Sequence, residues 1–575
     1  MPGYPRPSAP IPRSLAEIAA RLGDARVVEA ESVFRSAWTD GRPPDAPSRG
    51  VAGPSVMVTG ITHASNEVRP GDVFAALPGA QAHGSTYVPA AAAAGAVAVF
   101  TDAVGAPAAV EAGLPAIVVP DARAALGPAA AAIYGEPATR LTLIGITGTA
   151  GKTSTAYLIE SGLRAGGHVT GLIGTVETRL GDLVVDSVRT TPEASDLHGL
   201  FAAAVERGVT ALVMEVSSHA LALDRVGGTR FAVGGYTNFG SDHLDFHRDA
   251  DDYFAAKAKL FDGRCDIEIL NADDPALKPL YKPATITYSA DGSTAATWRA
   301  ADVRPDGFAQ RFTAYGPDGV TVAASVRLPG RHNVANALLA IASLAAVGVD
   351  VTVAADGVAA CTGVPGRLER VAAPGPVIGV VDYAHKPDAI IAALDALREQ
   401  RSSDATSRPP LRSGGGRTIC LIGAGGDRDR GKRPVMGAAA ARGCDLLIVT
   451  DDNPRTEDPA VVRAEILRGA SAADVDIEII EVAGRRAAID EAVRRAEPDD
   501  IIALLGKGHE RGQEINGQLH PFDDRVELAA ALTARFGDRA GGAAGEGAVD
   551  GVAQRAHGGG HGGDPSAPVP AGGAA

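Results

Sequence analysis

The sequence predicts a three-domain α/β protein, and three observations carry that prediction. At 575 residues the chain is too long for one hydrophobic core, given a typical domain of roughly 150 residues. Apolar runs such as "LTLIGI", "TALVMEV", "VIGVVDYA", "TICLIGAGG", "CDLLIVTDD" and "DIIALLGKG" alternate with helix-like segments. Several of these runs stop at Gly, Asp or Asn, as parallel strands do when they deliver residues to a crevice at their carboxyl ends.

The elements follow in order. Residues 1–55 read as a largely disordered extension and linker around one short helix, Ser14 to Leu22, with "TDGRPPDAPSRGVAGPS" as the linker. Residues 56–140 form a first α/β domain, in which "RPGDVFAALPG" gives a turn, a strand and a turn, and "AAAAAGAVAVF" gives a helix and a strand. A central parallel-sheet domain spans 141–362. A Rossmann-like domain spans 363–537, interrupted by a surface loop, Arg401 to Gly416. Residues 538–575 are Gly, Ala and Pro with His557 and His561, too poor in large apolar groups to fold.

Composition narrows the function. A formal net charge of −15 argues against a nucleic-acid surface, which needs clustered Lys and Arg. Cys265, Cys361, Cys420 and Cys444 show no metal or redox spacing and read as buried apolar residues in a reducing compartment. No apolar run resembles a secretory signal or reaches the ~20 residues that cross a bilayer. The expectation is a cytoplasmic protein, without a membrane or nucleic-acid partner, and monomeric.

The strongest chemical signal is "LIGITGTAGKTST". A strand enters a Gly-rich turn, Gly148, Thr149, Ala150 and Gly151, whose N–H groups can cradle phosphate; Lys152 can reach the terminal phosphates and Thr153 can hold Mg²⁺, with Ser154 following. Ile146 stands where a strict Walker A has Gly. In "ALVMEVSSHAL", Glu215 ends a buried strand, either as a metal ligand or as a carboxylate in solvent. In "YTNFGSDHLDFH", Asn238, Asp242, His243, Asp245 and His247 crowd a loop, as ligands or as surface polarity.

"DDYFAAKAKLF" adds a puzzle. At helical spacing Tyr253, Phe254, Leu260 and Phe261 share a face with Lys257 in its middle, while Lys259 points away. From the helix alone, Lys257 either snorkels to water or serves a buried role.

Together "TGTAGKT", "RTTPE", "MEVSSHAL", "DHLDFH", "AAKAKLF", "GRHNVANA", "GVPGRLE", "DYAHKPD", "GGDRDRGKRP", "DNPRTEDP" and "GKGHE" resemble the Mur ligases, ATP-dependent amide-forming enzymes of peptidoglycan precursor synthesis, over residues 56 to 537. The set is most similar to the diaminopimelate-adding members. The resemblance implies that ATP phosphorylates the D-glutamate side-chain carboxylate of UDP-N-acetylmuramoyl-L-alanyl-D-glutamate and that an amine of diaminopimelate attacks the acyl phosphate. Lys152, Arg367 and Mg²⁺ would supply positive charge. Lys257 would be carbamylated to N6-carboxylysine, which requires a neutral amine, and would hold Mg²⁺ with Thr153, Glu215 and His243.

By the same resemblance Asn333, Asn336, Asp382 and His385 lie around adenine and ribose, although such asparagines can also cap helices. The UDP-muramoyl dipeptide is expected at His63, Ser65, Ala80, Gln81, Ala82, Thr190, Thr191, Ser217, Leu223 and Arg225. His63 stands where Leu is common, Leu223 where Gln can donate a hydrogen bond, and His332 where an aromatic is frequent. Diaminopimelate is expected at Arg428, Asp452, Asn453, Pro454, Arg455, Gly506 and Glu510, with the Arg455 fork on the distal carboxylate that lysine lacks. Taken alone, "DNPR" also fits a capping turn with a surface salt bridge. The rivals are a lysine-adding ligase, a folylpolyglutamate synthase and a nucleotide-binding switch without ligase chemistry.

Overall fold

The computed structural model describes residues 3–29, 56–79, 81–407 and 416–537. Ala80, the linker, the second half of the expected Arg401 to Gly416 loop (408–415) and the tail with His557 and His561 lie outside the described residues.

Three α/β units follow one another, each around its own sheet. The first sheet has five strands in the order Arg26–Val28, Ala116–Val118, Ala98–Thr101, Asp72–Ala76 and Gly60–Thr62. All pair in parallel except Arg26–Val28. The central sheet has eleven strands, and its parallel heart runs Thr170–Ile173, Ala211–Glu215, Thr142–Thr147, Phe231–Tyr236, Cys265–Asn271. The third has six, ordered Glu369–Val371, Ile378–Asp382, Ile501–Leu505, Thr418–Ile422, Leu446–Val449, Glu478–Glu481, with only the first antiparallel. Strands buried on both faces explain the continuous apolar runs in the sequence.

Sheet order fixes where loops converge. In the central sheet the chain crosses from one side of Thr142–Thr147 to the other, and the phosphate loop leaves that strand. In the third, Thr418–Ile422 and Ile501–Leu505 are neighbours whose outgoing connections run in opposite directions. Such switch points open a crevice at the carboxyl ends of the strands.

Two expectations are corrected. Residues 3–29 are not a loose extension with one helix. Ser14 caps the helix Leu15–Arg21 in a reciprocal box with Glu17, and Arg26–Val28 adds an edge strand to the first sheet. Upstream, residues 4–9 alternate between units: the Tyr4 hydroxyl accepts from the backbone N–H of Val188 and Arg189, Arg6 pairs with buried Asp72 at 2.6 Å, and Ser8 and Ala9 donate to Glu206. A strand three residues long is too brief to show a period. Secondly, the helix beginning at Pro387 runs on to Ser407, through the first half of the expected surface loop, because no Gly or Pro interrupts it before Pro409. The four cysteines are buried and free, and no helix among the described residues is long and apolar enough to cross a membrane.

Candidate active site

The phosphate loop is held from one side by the end of the strand Phe231–Tyr236. Thr149 N–H donates to Asn238 O, Ala150 N–H to Asn238 Oδ1, and Thr237 Oγ1 to Ala150 O. Gly148 has φ +140°, and a Cβ there would meet Thr237 Oγ1 at 1.9 Å. Gly151, at φ +84°, lies against Asn336 Oδ1 and opens the helix Lys152–Ala165. Lys152 Nζ folds back onto the carbonyls of Gly148 and Thr149, and burial, against the pull of Glu215, lowers its pKa to about 8. Ser154 is buried behind the turn.

Glu215 ends its strand inside the protein, not in solvent. Its carboxylate accepts from Thr153 Oγ1 at 3.0 Å, Thr175 N–H at 2.7 Å and Thr175 Oγ1 at 3.1 Å. Arg367, from the third unit, donates to Thr153 Oγ1 at 3.2 Å with its guanidinium over the Tyr383 ring. The geometry thus brings Lys152, Thr153, Glu215 and Arg367 into one crevice.

Lys257 resolves the helix puzzle. It is 1% exposed, on a buried face with Tyr253, Leu260 and Phe261, and Lys259 is exposed. Nζ donates to Gly148 O at 2.8 Å and lies 4.6 Å from the Tyr253 ring centroid. Burial, then the like charges of Lys152 and Lys386, hold its pKa well below the usual lysine range. With Lys257 1% exposed, its head does not reach solvent, which counts against the snorkelling alternative, and the shift is towards the neutral amine.

Among the described residues no three His, Cys, Asp or Glu side chains converge on a metal position. His243, at φ +53°, has Nε2 3.0 Å from Asp242 Oδ2 and its ring edge-on to His219, whose own pKa burial and the neighbouring His243 lower to about 4. Asp242 also pairs with Lys386 from the third unit; His243 and Lys386 hold its carboxyl far below the usual range despite burial. Mg²⁺ keeps waters and takes one or two protein oxygens plus substrate phosphates. Thr153 with Glu215 fits that donor set, and a carboxylated Lys257 would add an anion.

Asn333 and Asn336 lie inside the helix Arg331–Ala346, whose N-cap is Gly330, so capping is not their role. Asn336 Nδ2 donates to Asn333 Oδ1, and its Oδ1 accepts from Thr155, backing the phosphate loop. Asp382 accepts from the backbone N–H of Leu368 and Ala384, and burial raises its pKa. His385 Nδ1 donates to Tyr383 O, and burial lowers its pKa to about 3. Lys386, the next residue in "DYAHKPD", pairs with Asp242 of the central unit and is a site residue that the motif alone does not single out.

Around the other substrate positions, Glu193 collects Arg225 at 2.9 Å, Arg123 at 2.9 Å and Arg189 at 3.2 Å. Thr191 Oγ1 donates to Glu215 O and accepts from Ser217 N–H, while Thr190 Oγ1 meets Thr175 Oγ1 at 3.0 Å. Leu223 caps the short helix Ser218–Ala222, and His63 Nδ1 lies 3.2 Å from Ser195 Oγ. A cavity of about 290 Å³ begins one residue after Ser65, lined by Asn66 to Arg69 with Gly3, Tyr4 and Arg6. Gln81 and Ala82 form an exposed turn.

In the third unit, "DNPR" packs on the loops after Thr418–Ile422 and Ile501–Leu505. Asn453 Nδ2 donates to Glu510 Oε2 at 2.8 Å, and its Oδ1 accepts from Lys507 Nζ at 3.1 Å. Lys507, unforeseen within "GKGHE", is fully buried and also donates to Glu510 Oε2 and Gly512 O. Gly506, at φ +114°, leaves room for the Asp452 carboxylate. Arg455 ion-pairs with Glu514 Oε2 at 3.0 Å; Pro454 O faces Gly426; Arg428 is exposed. Beneath these loops Arg485, fully buried and paired with Asp524, donates to Asp451 O and Leu505 O, the carbonyls just before Asp452 and Gly506. In "DNPR", Asp452 and Asn453 are buried, while the Arg455–Glu514 pair is half-exposed.

Comparison with known proteins agrees with this arrangement. Residues 57–134 match the description "Mur ligase family, catalytic domain", residues 146–344 "Mur ligase middle domain", and residues 366–508 "Mur ligase, glutamate ligase domain". The UDP-N-acetylmuramoyl-L-alanyl-D-glutamate--2,6-diaminopimelate ligase of Streptomyces coelicolor is 48% identical over 539 residues, 92% of this chain and 98% of its own. The UDP-N-acetylmuramyl-tripeptide synthetase of Leifsonia xyli is 40% identical, over 83% of this chain and 92% of its own. A solved UDP-N-acetylmuramoyl-L-alanyl-D-glutamate--2,6-diaminopimelate ligase superposes with a TM-score of 0.59 at 31% identity, covering 83% of this chain and 95% of that one. With a phosphate loop, a buried lysine beside it and an arginine loop facing it from a third sheet, all within this span, the chain belongs to the Mur ligase family.

Proposed function

We propose that the chain is an ATP-dependent ligase that adds diaminopimelate to the D-glutamate side-chain carboxylate of UDP-N-acetylmuramoyl-L-alanyl-D-glutamate. The observation that carries the reading is the crevice in which Arg367 of the third unit reaches Thr153 of the phosphate loop, with Arg455 and Asn453 on the same third unit. The family membership and the printed names of the relatives support the substrates.

Residues 56–140 would hold the UDP-muramoyl group, with uridine diphosphate in the cavity beside Ser65, residues 141–362 would hold ATP, and residues 363–537 the amino acid. The substrate carboxylate attacks the γ-phosphorus, its oxygen forms the new P–O bond, and ADP leaves. The amine then attacks the acyl carbon, loses a proton, and inorganic phosphate departs with the C–O bond's electrons. Both partners of the first step are anions, so Lys152 and Arg367 hold them together and stabilise the spreading charge. Mg²⁺, bound with ATP near Thr153 and Glu215, would neutralise phosphate charge. Lys257, whose pKa burial lowers, is suited to accept carbon dioxide as N6-carboxylysine.

Purified protein with Mg²⁺, ATP and the UDP-muramoyl dipeptide should release phosphate on adding diaminopimelate and little on adding lysine. No release with either amino acid sinks the ligase reading, and preference for lysine sinks the amino-acid assignment.

A further inference from the structure

We infer that Glu514 is a positioning residue for amino-acid recognition, turning the Arg455 guanidinium so that only its terminal edge is offered to a substrate carboxylate. The inference rests on the reading of the third unit as the diaminopimelate pocket.

Arg455 is held by the hairpin Gly512–Ile515 and Gln518–Pro521 through both backbone and side chain. Its backbone sits at φ +53°, a left-handed conformation unusual for arginine. Its N–H donates to Glu514 O at 3.0 Å and its carbonyl accepts from Asn516 N–H at 2.7 Å, so the hairpin grips the residue on both sides. On the side chain, Nε donates to Glu514 Oε2 at 3.0 Å and Nη1 to Gly426 O at 2.8 Å. Among the described residues nothing hydrogen-bonds Nη2.

A guanidinium can grasp a carboxylate bidentately along its Nε–Nη2 side or across its Nη1–Nη2 end. Glu514 occupies the Nε position and closes the side approach. Gly426 O takes one of the two Nη1 protons, which leaves the Nη1–Nη2 end for a carboxylate. Gly425 permits this pose, since a Cβ there would stand 2.9 Å from Nη1. The same strand braces the rest of the loop: Glu514 N–H donates to Asn453 Oδ1, and Gln513 Nε2 to Asp452 O. Glu514 is therefore placed to tune the orientation of the arginine.

The test is steady-state kinetics of the full chain. Glu514 is 41% exposed at its side chain, so substitution there should fold. Glu514→Ala should raise the KM for diaminopimelate about tenfold, with the KM values for ATP and the UDP-muramoyl dipeptide within about twofold of wild type. Glu514→Gln, which keeps an acceptor for Nε, should restore most of the loss. Combining Glu514→Ala with Arg455→Ala should be no worse than Arg455→Ala alone. An unchanged diaminopimelate KM in Glu514→Ala, an equal rise in all three KM values, or a Gln variant as impaired as Ala would overturn the inference. Wild-type protein inert towards diaminopimelate would instead overturn the functional reading beneath it.

Discussion

Desolvating an ammonium is costly, so a lysine enclosed without a salt-bridge partner is pushed towards its neutral form. Lys257 is such a residue, bound to Gly148 O beside the phosphate loop. Lys257→Ala should abolish phosphate release, and added acetate or formate, able to occupy the vacated position, should restore part of it. Carbon-13 bicarbonate should give the wild type a carbamate resonance that the variant lacks; full activity in Lys257→Ala would end the carbamate reading. Asp196 shows the converse effect. Burial, then the nearby Glu67, raise its pKa to about 7, so the folded state prefers its neutral form. Folding therefore binds a proton at Asp196 between the unfolded value, about 4, and about 7, and stability falls as pH rises through that window. Asp196→Asn should melt higher than wild type at pH 8, with the difference shrinking towards pH 4; a constant difference would remove Asp196 as its source.

At the scale of elements, the phosphate loop works because two glycines let backbone pass where side chains stand. Gly148→Ala should cost about a hundredfold in kcat/KM for ATP, since its Cβ collides with Thr237 Oγ1 in a left-handed backbone. Gly240→Ala, in the loop facing it with nothing nearer than 3.7 Å, should stay near wild type. Equal losses in the two variants would mean that the loop's shape is not what binds ATP. This element was legible because strand, turn and helix are contiguous in "LIGITGTAGKTST". The buried face around Lys257 was legible from helical spacing for the same reason. Thr175, which gives Glu215 two of its hydrogen bonds, was not: it reaches the site from another strand's end, and only sheet order brings it there. Lys507 and Glu514 were hidden differently, since a lysine and a glutamate in a polar stretch look like solvated charges until the fold brings Asn453 and Arg455 to them.

At the scale of the whole molecule, three units in sequence were readable from the alternation of apolar runs, and the crevices between them were not. The contacts across the second crevice, Arg367 to Thr153 and Lys386 to Asp242, join residues 214 and 144 positions apart. The surroundings of His243 were hidden for this reason: its partner Asp242 is itself tied to the third unit. The proline-rich start was misjudged because its order comes from partners in two other units rather than from any pattern of its own.

That start has a consequence for how the molecule comes apart. The first and central units are joined by the helix Ala122–Tyr134 packed on Ala194–Glu206, by Gly127 pressed against Gly227, and by a strap whose successive residues grip opposite sides. The third unit meets the central one through Arg367 and Lys386 and where the helix Pro387–Ser407 packs on the strand Trp298–Asp306, with Ala396 against Gly330, but no strap binds the two among the described residues. Differential scanning calorimetry should therefore record two cooperative transitions rather than three, the larger one melting residues 3–362 together. Arg6→Ala, which strands the Asp72 carboxylate, should divide or broaden that larger transition and leave the other in place. The proline-rich start would then act as a cooperativity element, making two sheets share one fate on heating.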